Sequence, residues 1–121
     1  MDNTKNDAYY VKKMIKDIKF IIEKTDGITL EALKENEVLS DSVHFRLVQT
    51  SENSGKLTQA FKDEHREIPW HAIKGLRNKI VHEYGDVDLN IIFQTITEDI
   101  PEVCRLLEQI TFSSNELSIT L

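Results

Sequence analysis

Val11-Lys12-Lys13-Met14-Ile15-Lys16-Asp17-Ile18-Lys19-Phe20-Ile21-Ile22 sets apolar residues at i, i+3, i+4, i+7, i+10 and i+11, with lysines 12, 13, 16 and 19 between them. At 100° per residue this spacing gathers one apolar stripe on a helix and turns the cations away from it. The stretch predicts an amphipathic helix ending near Thr25. Asp26-Gly27 supplies a stop, and Thr29 caps a short second helix ending near Asn36, with Ile28 and Leu33 at the positions of a hydrophobic staple.

The same period continues outward. A third helix is predicted from about Glu37 to Phe61, carried by Leu39, Val43, Leu47 and Val48. Its inward positions then become small or polar at Thr50, Ser51, Ser54 and Gly55. Residues of that size let a neighbouring helix approach closely, but Gly55 also costs about 1 kcal/mol of helix propensity relative to alanine; the sequence leaves both readings open. Lys62 to Glu67 reads as a loop. Pro69 suits the first turn of a fourth helix running to about Tyr84, which Gly85 can close. Asp86 or Asp88 then caps a last helix bearing Leu89, Ile92, Ile96, Val103, Leu106 and Ile110, interrupted or kinked at Pro101. The expected architecture is all-α, an antiparallel up-and-down four-helix bundle with one extra short helix. Residues 1–112 form the expected single domain and 113–121 a loose tail.

Composition narrows the function classes. The 121 residues are 40% apolar and 30% charged, which suits one packed core rather than a disordered chain. A single cysteine, Cys104, closes no internal bridge, and its place on the apolar face of the last helix suits a small core residue better than a nucleophile. No apolar run approaches the roughly 20 residues of a membrane helix and no signal-peptide pattern opens the chain, so the expectation is a cytoplasmic protein that does not enter membranes. The formal charge of -6 argues against coating nucleic acid through bulk positive charge, though it leaves room for a local basic site.

Most templates of enzyme chemistry fail. The four glycines make neither a dinucleotide fingerprint nor a P-loop, no Gly-x-Ser-x-Gly elbow is present, and His44, His65, His71 and His82 lack metal-ligand spacing. Neither a metal nor an organic cofactor is expected. What stands out is Gly75-Leu76-Arg77-Asn78-Lys79-Ile80-Val81-His82-Glu83-Tyr84-Gly85. Lys74, Asn78 and His82 share one stripe of that helix, Arg77, Val81 and Tyr84 an adjoining one, and Leu76 and Ile80 a third that can face a core. Arg77 and His82 differ by about 140° around the axis and roughly 7.5 Å along it. They do not form a compact pair on one helix, but both can line a groove against another helix or another subunit. From spacing alone, Arg77 and Lys79 read equally well as solvated helix cations and Tyr84 as a core residue with its hydroxyl at the surface.

Arg77-Asn78-x-x-x-His82-x-Tyr84 resembles the Arg-x-x-x-x-His-x-Tyr motif of the HepT toxins in the HEPN superfamily. Ile68-Pro69-Trp70, Ile73 and Gly75-Leu76 resemble the family's lead into that helix, and Asp86-Val87-Asp88 its exit. The likeness is strongest from about Ile68 to Asp88 and weaker over nearly the whole helical pattern. One departure lies in the third helix. Where the family carries Ile-Gly-Glu-Ala, this chain has Thr50-Ser51-Glu52-Asn53, retaining only Glu52.

The resemblance implies a HEPN-like fold and a homodimeric, metal-independent endoribonuclease toxin. Arg77 and His82 would be catalytic, at a composite site where two motif helices meet; from their own chemistry, Asn78 can support them by hydrogen bonding, and Lys74 and Lys79 can bind RNA as a local cationic strip in an acidic chain. The resemblance also implies a partner, an MntA-like minimal nucleotidyltransferase antitoxin that transfers AMP to Tyr84. The chemistry is consistent with these residue types: imidazole serves as base or acid near neutrality, and the arginine fork suits phosphate oxygens. The competing expectation is a noncatalytic HEPN-fold binding partner of such a nucleotidyltransferase, which fold alone does not separate from the enzyme. Trp70 reads as a core anchor rather than a platform for a base.

Overall fold

A computed structural model describes residues 5–82 and 88–112, with the side chains of Lys79, Val81 and His82 outside that description. The described residues are helical and contain no strand. Helix α1 (Asp7–Lys24) begins where Asn6 Oδ1 accepts the Tyr9 N–H at 3.0 Å, satisfying one of the unpaired donors of a first turn. It ends at Thr25, and Gly27 takes a φ of 70°, the left-handed turn that a side chain disfavours. Thr29 caps α2 (Leu30–Glu35) by accepting the Ala32 N–H at 3.1 Å. Asn36 does the same for α3 (Glu37–Ser54) through the Leu39 N–H at 3.0 Å.

The third helix stops sooner than its sequence predicts. It ends at Ser54 rather than Phe61, and Thr58 starts a separate helix, α4 (Gln59–Glu64), by accepting the Phe61 N–H at 3.2 Å. The first half of the expected loop at Lys62–Glu67 is therefore helix, and the rest is turn. Asp7 anchors this corner: its two carboxylate oxygens accept the backbone N–H and the hydroxyl of Thr58, each at 2.8 Å. A Thr that caps its own helix while holding the start of α1 fixes the angle at which α4 leaves α3.

Helix α5 (Trp70–His82) starts directly after Pro69, as expected, and Asp88 caps α6 (Leu89–Gln94) by accepting the Asn90 N–H at 2.9 Å. Pro101 does more than kink the last helix. A proline has no N–H for the carbonyl four residues back and its ring collides with that carbonyl. The chain widens accordingly into a π-helical turn, Thr95–Asp99, before α7 (Ile100–Glu108), and the Ile100 N–H bonds the Thr95 carbonyl. Val103 is buried as the period selects, but the inward face differs one turn further on. Leu107 is buried on α7, whereas Leu106, which the unbroken period selects, is only half-buried.

The buried apolar residues form one cluster in which Val11, Met14, Ile18 and Ile21 of α1 meet Val43 and Leu47 of α3, Ile73 and Ile80 of α5, and Ile96, Ile100 and Leu107 of the last segment. Each such side chain contributes about 1.5–3 kcal/mol on leaving water. Helix α1 packs on α3 and α7, and α3 packs on α5. Cys104 is buried as expected. Trp70 is half-buried, its Nε1 donating to the His65 carbonyl at 3.0 Å and its ring beside Phe61, as an anchor requires. Among the described residues no helix is long and apolar enough to cross a membrane.

Candidate functional site on α5

Two requirements shape the seam between α3 and α5. Ile73 and Ile80 must be buried, which presses α5 onto the core. The α3 residues that meet it must then be small. Thr50, Ser51 and Ser54 are all buried, and the Ser51 hydroxyl donates to the Lys74 backbone carbonyl at 3.1 Å, so a side chain of α3 reaches the backbone of α5. This is the close approach that the small residues allow. Gly55 takes no part in it: a Cβ there would meet only carbonyls of its own helix, and its role is to end α3.

That approach carries Glu52, one residue along, to Arg77. The carboxylate of Glu52 forms an ion pair with the Arg77 Nε, and both side chains remain 44% exposed. Arg77 is thus oriented at the surface rather than sunk into the core. Lys74 and Asn78 are exposed on the neighbouring stripe. Ile80 faces the core fully and Leu76 partly, as the spacing predicts. His82 is the last residue of α5, but its side chain and that of Lys79 fall outside the described residues, and Tyr84 lies outside them altogether. Glu52 is legible in the sequence as a retained family position without a role; its partner is 25 positions away, and helical period says nothing about a contact of that range.

Among the described residues, concavities lie on two sides of α5 and differ in charge. One, about 400 Å³, lies toward the π-helical turn and α7; its wall is Ile73, Leu76, Ile100 and Val103, with Glu98, Asp99 and Glu102 at its edge. The other, about 540 Å³, lies between the end of α3, α4 and the first turns of α5, and carries Lys62, Arg66, His71 and Lys74 against one carboxylate, Asp63. A polyanion approaching α5 is repelled by the first and attracted by the second. Among the described residues no group of three or more His, Cys, Asp or Glu side chains is arranged to hold a metal ion.

The remaining titratable groups serve the framework. Lys19 of α1 pairs with Glu108 of α7 at 2.7 Å; hydrogen bonding to Glu108 pushes the ammonium up, and bonding to Lys19 holds the carboxyl down. Burial pushes the Cys104 thiol up, with the Glu108 carboxylate adding to it, so this cysteine stays a poor nucleophile. Asp17 of α1 accepts from Arg46 of α3 at 2.7 Å, and the Arg46 guanidinium lies 4.0 Å from the Phe20 ring centroid.

Comparison with known proteins covers nearly the whole chain. The sequence model of the family described as "Ribonuclease HepT-like" matches residues 14–110. The chain is 32% identical over 101 residues to "Putative RNase TTE0752" of Caldanaerobacter subterraneus subsp. tengcongensis, covering 84% of this chain and 90% of the relative. It is 29% identical over 103 residues to "Probable ribonuclease HepT" of Thermococcus cleftensis, covering 82% and 94% of the two chains. No solved structure gives a significant match.

Proposed function

This chain belongs to the ribonuclease HepT-like family, and from that premise we propose that it is a metal-independent endoribonuclease whose reaction is carried by Arg77 and His82. The observation that carries the reading is Arg77 itself, half-exposed on α5, held by Glu52, and one helical turn from the exposed Lys74 in an acidic chain. In the proposed reaction the imidazole of His82 takes the proton of a ribose 2′-hydroxyl. The 2′-oxygen forms a bond to phosphorus, the bond from phosphorus to the 5′-oxygen breaks, and the departing oxygen takes up a proton from an imidazolium. The planar guanidinium of Arg77 donates to the phosphoryl oxygens as charge gathers on them. Asn78 supports by hydrogen bonding, and Lys74 and Lys79 hold the RNA backbone. The products are a 2′,3′-cyclic phosphate and a 5′-hydroxyl.

Arg77 and His82 stand on opposite flanks of one helix, about 140° apart. A homodimer in which two α5 helices meet resolves this difficulty, because one groove then takes Arg77 from one protomer and His82 from the other. The proposed regulation is that of a toxin with its antitoxin: an MntA-like nucleotidyltransferase transfers AMP to Tyr84, and the added phosphate and adenosine fill the groove and neutralise Arg77. The product ends test this chemistry. Cleaved RNA whose 3′ ends resist phosphatase until acid opens the cyclic ester supports it, and 5′-phosphate ends overturn it.

A further inference from the structure

Beside Lys74, the slot between α4 and α5 gathers Lys62, Arg66 and His71, which the proposed reaction does not use. Lys62 comes from α4, Arg66 from the turn after it, and His71 and Lys74 from the first two turns of α5. Arg66, His71 and Lys74 are exposed and Lys62 is half-buried. Lys62, Arg66 and Lys74 enter no ion pair among the described residues. The slot's single acid, Asp63, has its carboxylate engaged by the Gln59 amide at 3.0 Å. Three cations facing one carboxylate in a chain of formal charge -6 is a local inversion of sign. Such a field recruits an anion, because exposed cations without intramolecular partners release counterions when phosphates replace them.

The direction of the slot names the anion. His71, Lys74, Asn78 and His82 fall at i, i+3, i+7 and i+11, so by helical register they lie on one stripe running from the slot to the end of α5. Lys74 stands about 4.5 Å along the axis from Arg77, and His71 about 9 Å. Ile68, Pro69 and Trp70 also line the slot, an apolar strip among the charged residues. A compact anion needs neither the length nor the apolar strip; a strand with a charge at each nucleotide and apolar ribose faces between uses both.

We propose that the Lys62–Arg66–His71–Lys74 slot is a binding subsite for single-stranded RNA, holding the nucleotides next to the scissile phosphate and feeding the strand along α5 toward Arg77. This rests on the ribonuclease reading, yet binding in the slot is measurable without cleavage. The slot holds the strand and takes no part in bond breaking.

The test is fluorescence anisotropy with a labelled single-stranded RNA of roughly 16 nucleotides, all proteins carrying His82→Ala. The parent is compared with Lys62→Gln/Arg66→Gln, with the charge reversal Lys62→Glu/Arg66→Glu, and with Lys13→Gln/Lys16→Gln on the outer face of α1, which removes the same charge elsewhere. Circular dichroism confirms each fold. The slot variant is expected to bind about tenfold more weakly, with a salt slope shallower by about 1.4, the value for two lost phosphate contacts on a single strand. The charge reversal loses more, and the α1 variant stays within about twofold of the parent. Equal affinity in the slot and α1 variants overturns the proposal, as does a parent that binds no RNA. So does polyglutamate competing as well as unlabelled RNA, which makes the slot a site for an acidic protein segment. Failure of the ribonuclease reading shows separately, as absence of cleavage by protein that retains His82 while slot-dependent binding persists.

Discussion

Glu52 and Arg77 form an ion pair across the α3–α5 seam, on the one stretch of α3 that departs from the family's Ile-Gly-Glu-Ala. The pair is open to solvent, so its contribution to stability is small, about 0–1 kcal/mol. Its contribution to the site is of another kind. The carboxylate fixes the direction of a side chain with several free torsions, and it also occupies part of the fork that a phosphate would use.

These two effects have opposite signs on different steps. Glu52→Gln removes a negative charge beside the RNA path, so KM falls by about threefold in low salt. The guanidinium loses its orienting partner, so kcat falls by about tenfold. Steady-state kinetics on one RNA separates the two. A fall in kcat with an unchanged or higher KM contradicts the account, and the melting temperature stays within a few degrees either way.

The seam itself is sensitive to volume. Ser51→Leu inserts a branched side chain where a hydroxyl meets the Lys74 carbonyl, and overpacking of this kind costs about 1–3 kcal/mol. The expected result is a lower urea midpoint together with reduced cleavage, because α5 is pushed off the α3 face that carries Glu52. Ser51→Ala, which keeps the volume and loses one hydrogen bond, costs about 1 kcal/mol or less. Equal midpoints for the two variants contradict the close approach.

Much of this fold is legible because its helices announce themselves locally. Asn6, Thr29, Asn36 and Asp88 each accept an N–H of the first turn they precede; of those four, Thr29 is a cap that the sequence predicts and Asp88 one of the two it offers for its helix. The α3 boundary is not legible, because the helix turns small and polar residues inward against α5. The apolar period fades there, and nothing in it marks the difference between Ser54 and Phe61. The π-helical turn escapes for a related reason: Pro101 signals a disturbance but not which wider turn absorbs it. The site divides the same way. Arg77, His82 and Tyr84 stand in one short motif, whereas Glu52 and the slot cations Lys62 and Arg66 come from elsewhere in the chain, two of them from a segment that reads as loop.

His44 makes stability depend on pH. Burial pushes its imidazole below the ordinary range, against an upward pull from Asp41. The folded state therefore binds this proton less readily than the unfolded chain. Stability from this group is fully present above the unfolded value of about 6.5 and is lost as pH falls from there toward the folded value. Urea midpoints of the wild type are expected to decline over that window, and His44→Leu to decline less. Identical slopes for the two proteins would count against a buried neutral imidazole.

Tyr84 has its own test. Incubation with an MntA-like nucleotidyltransferase and ATP is expected to add one AMP mass to the wild type and none to Tyr84→Phe, and to abolish RNA cleavage only in the former. Tyr84→Phe itself should cut RNA at close to the wild-type rate. Modification that leaves cleavage intact, or loss of cleavage without modification, contradicts the proposed off switch.

The metal-independent reaction proposed at Arg77 and His82 is measured most directly as RNA cleavage in EDTA. Unmodified wild type is compared there with Arg77→Ala and His82→Ala proteins shown to be folded, after mass spectrometry confirms that Tyr84 carries no AMP. The account predicts cleavage by the wild type and a loss of about 10²-fold or more in each variant. Equal cleavage by all three proteins, or activity that appears only when a divalent cation is restored, would contradict it.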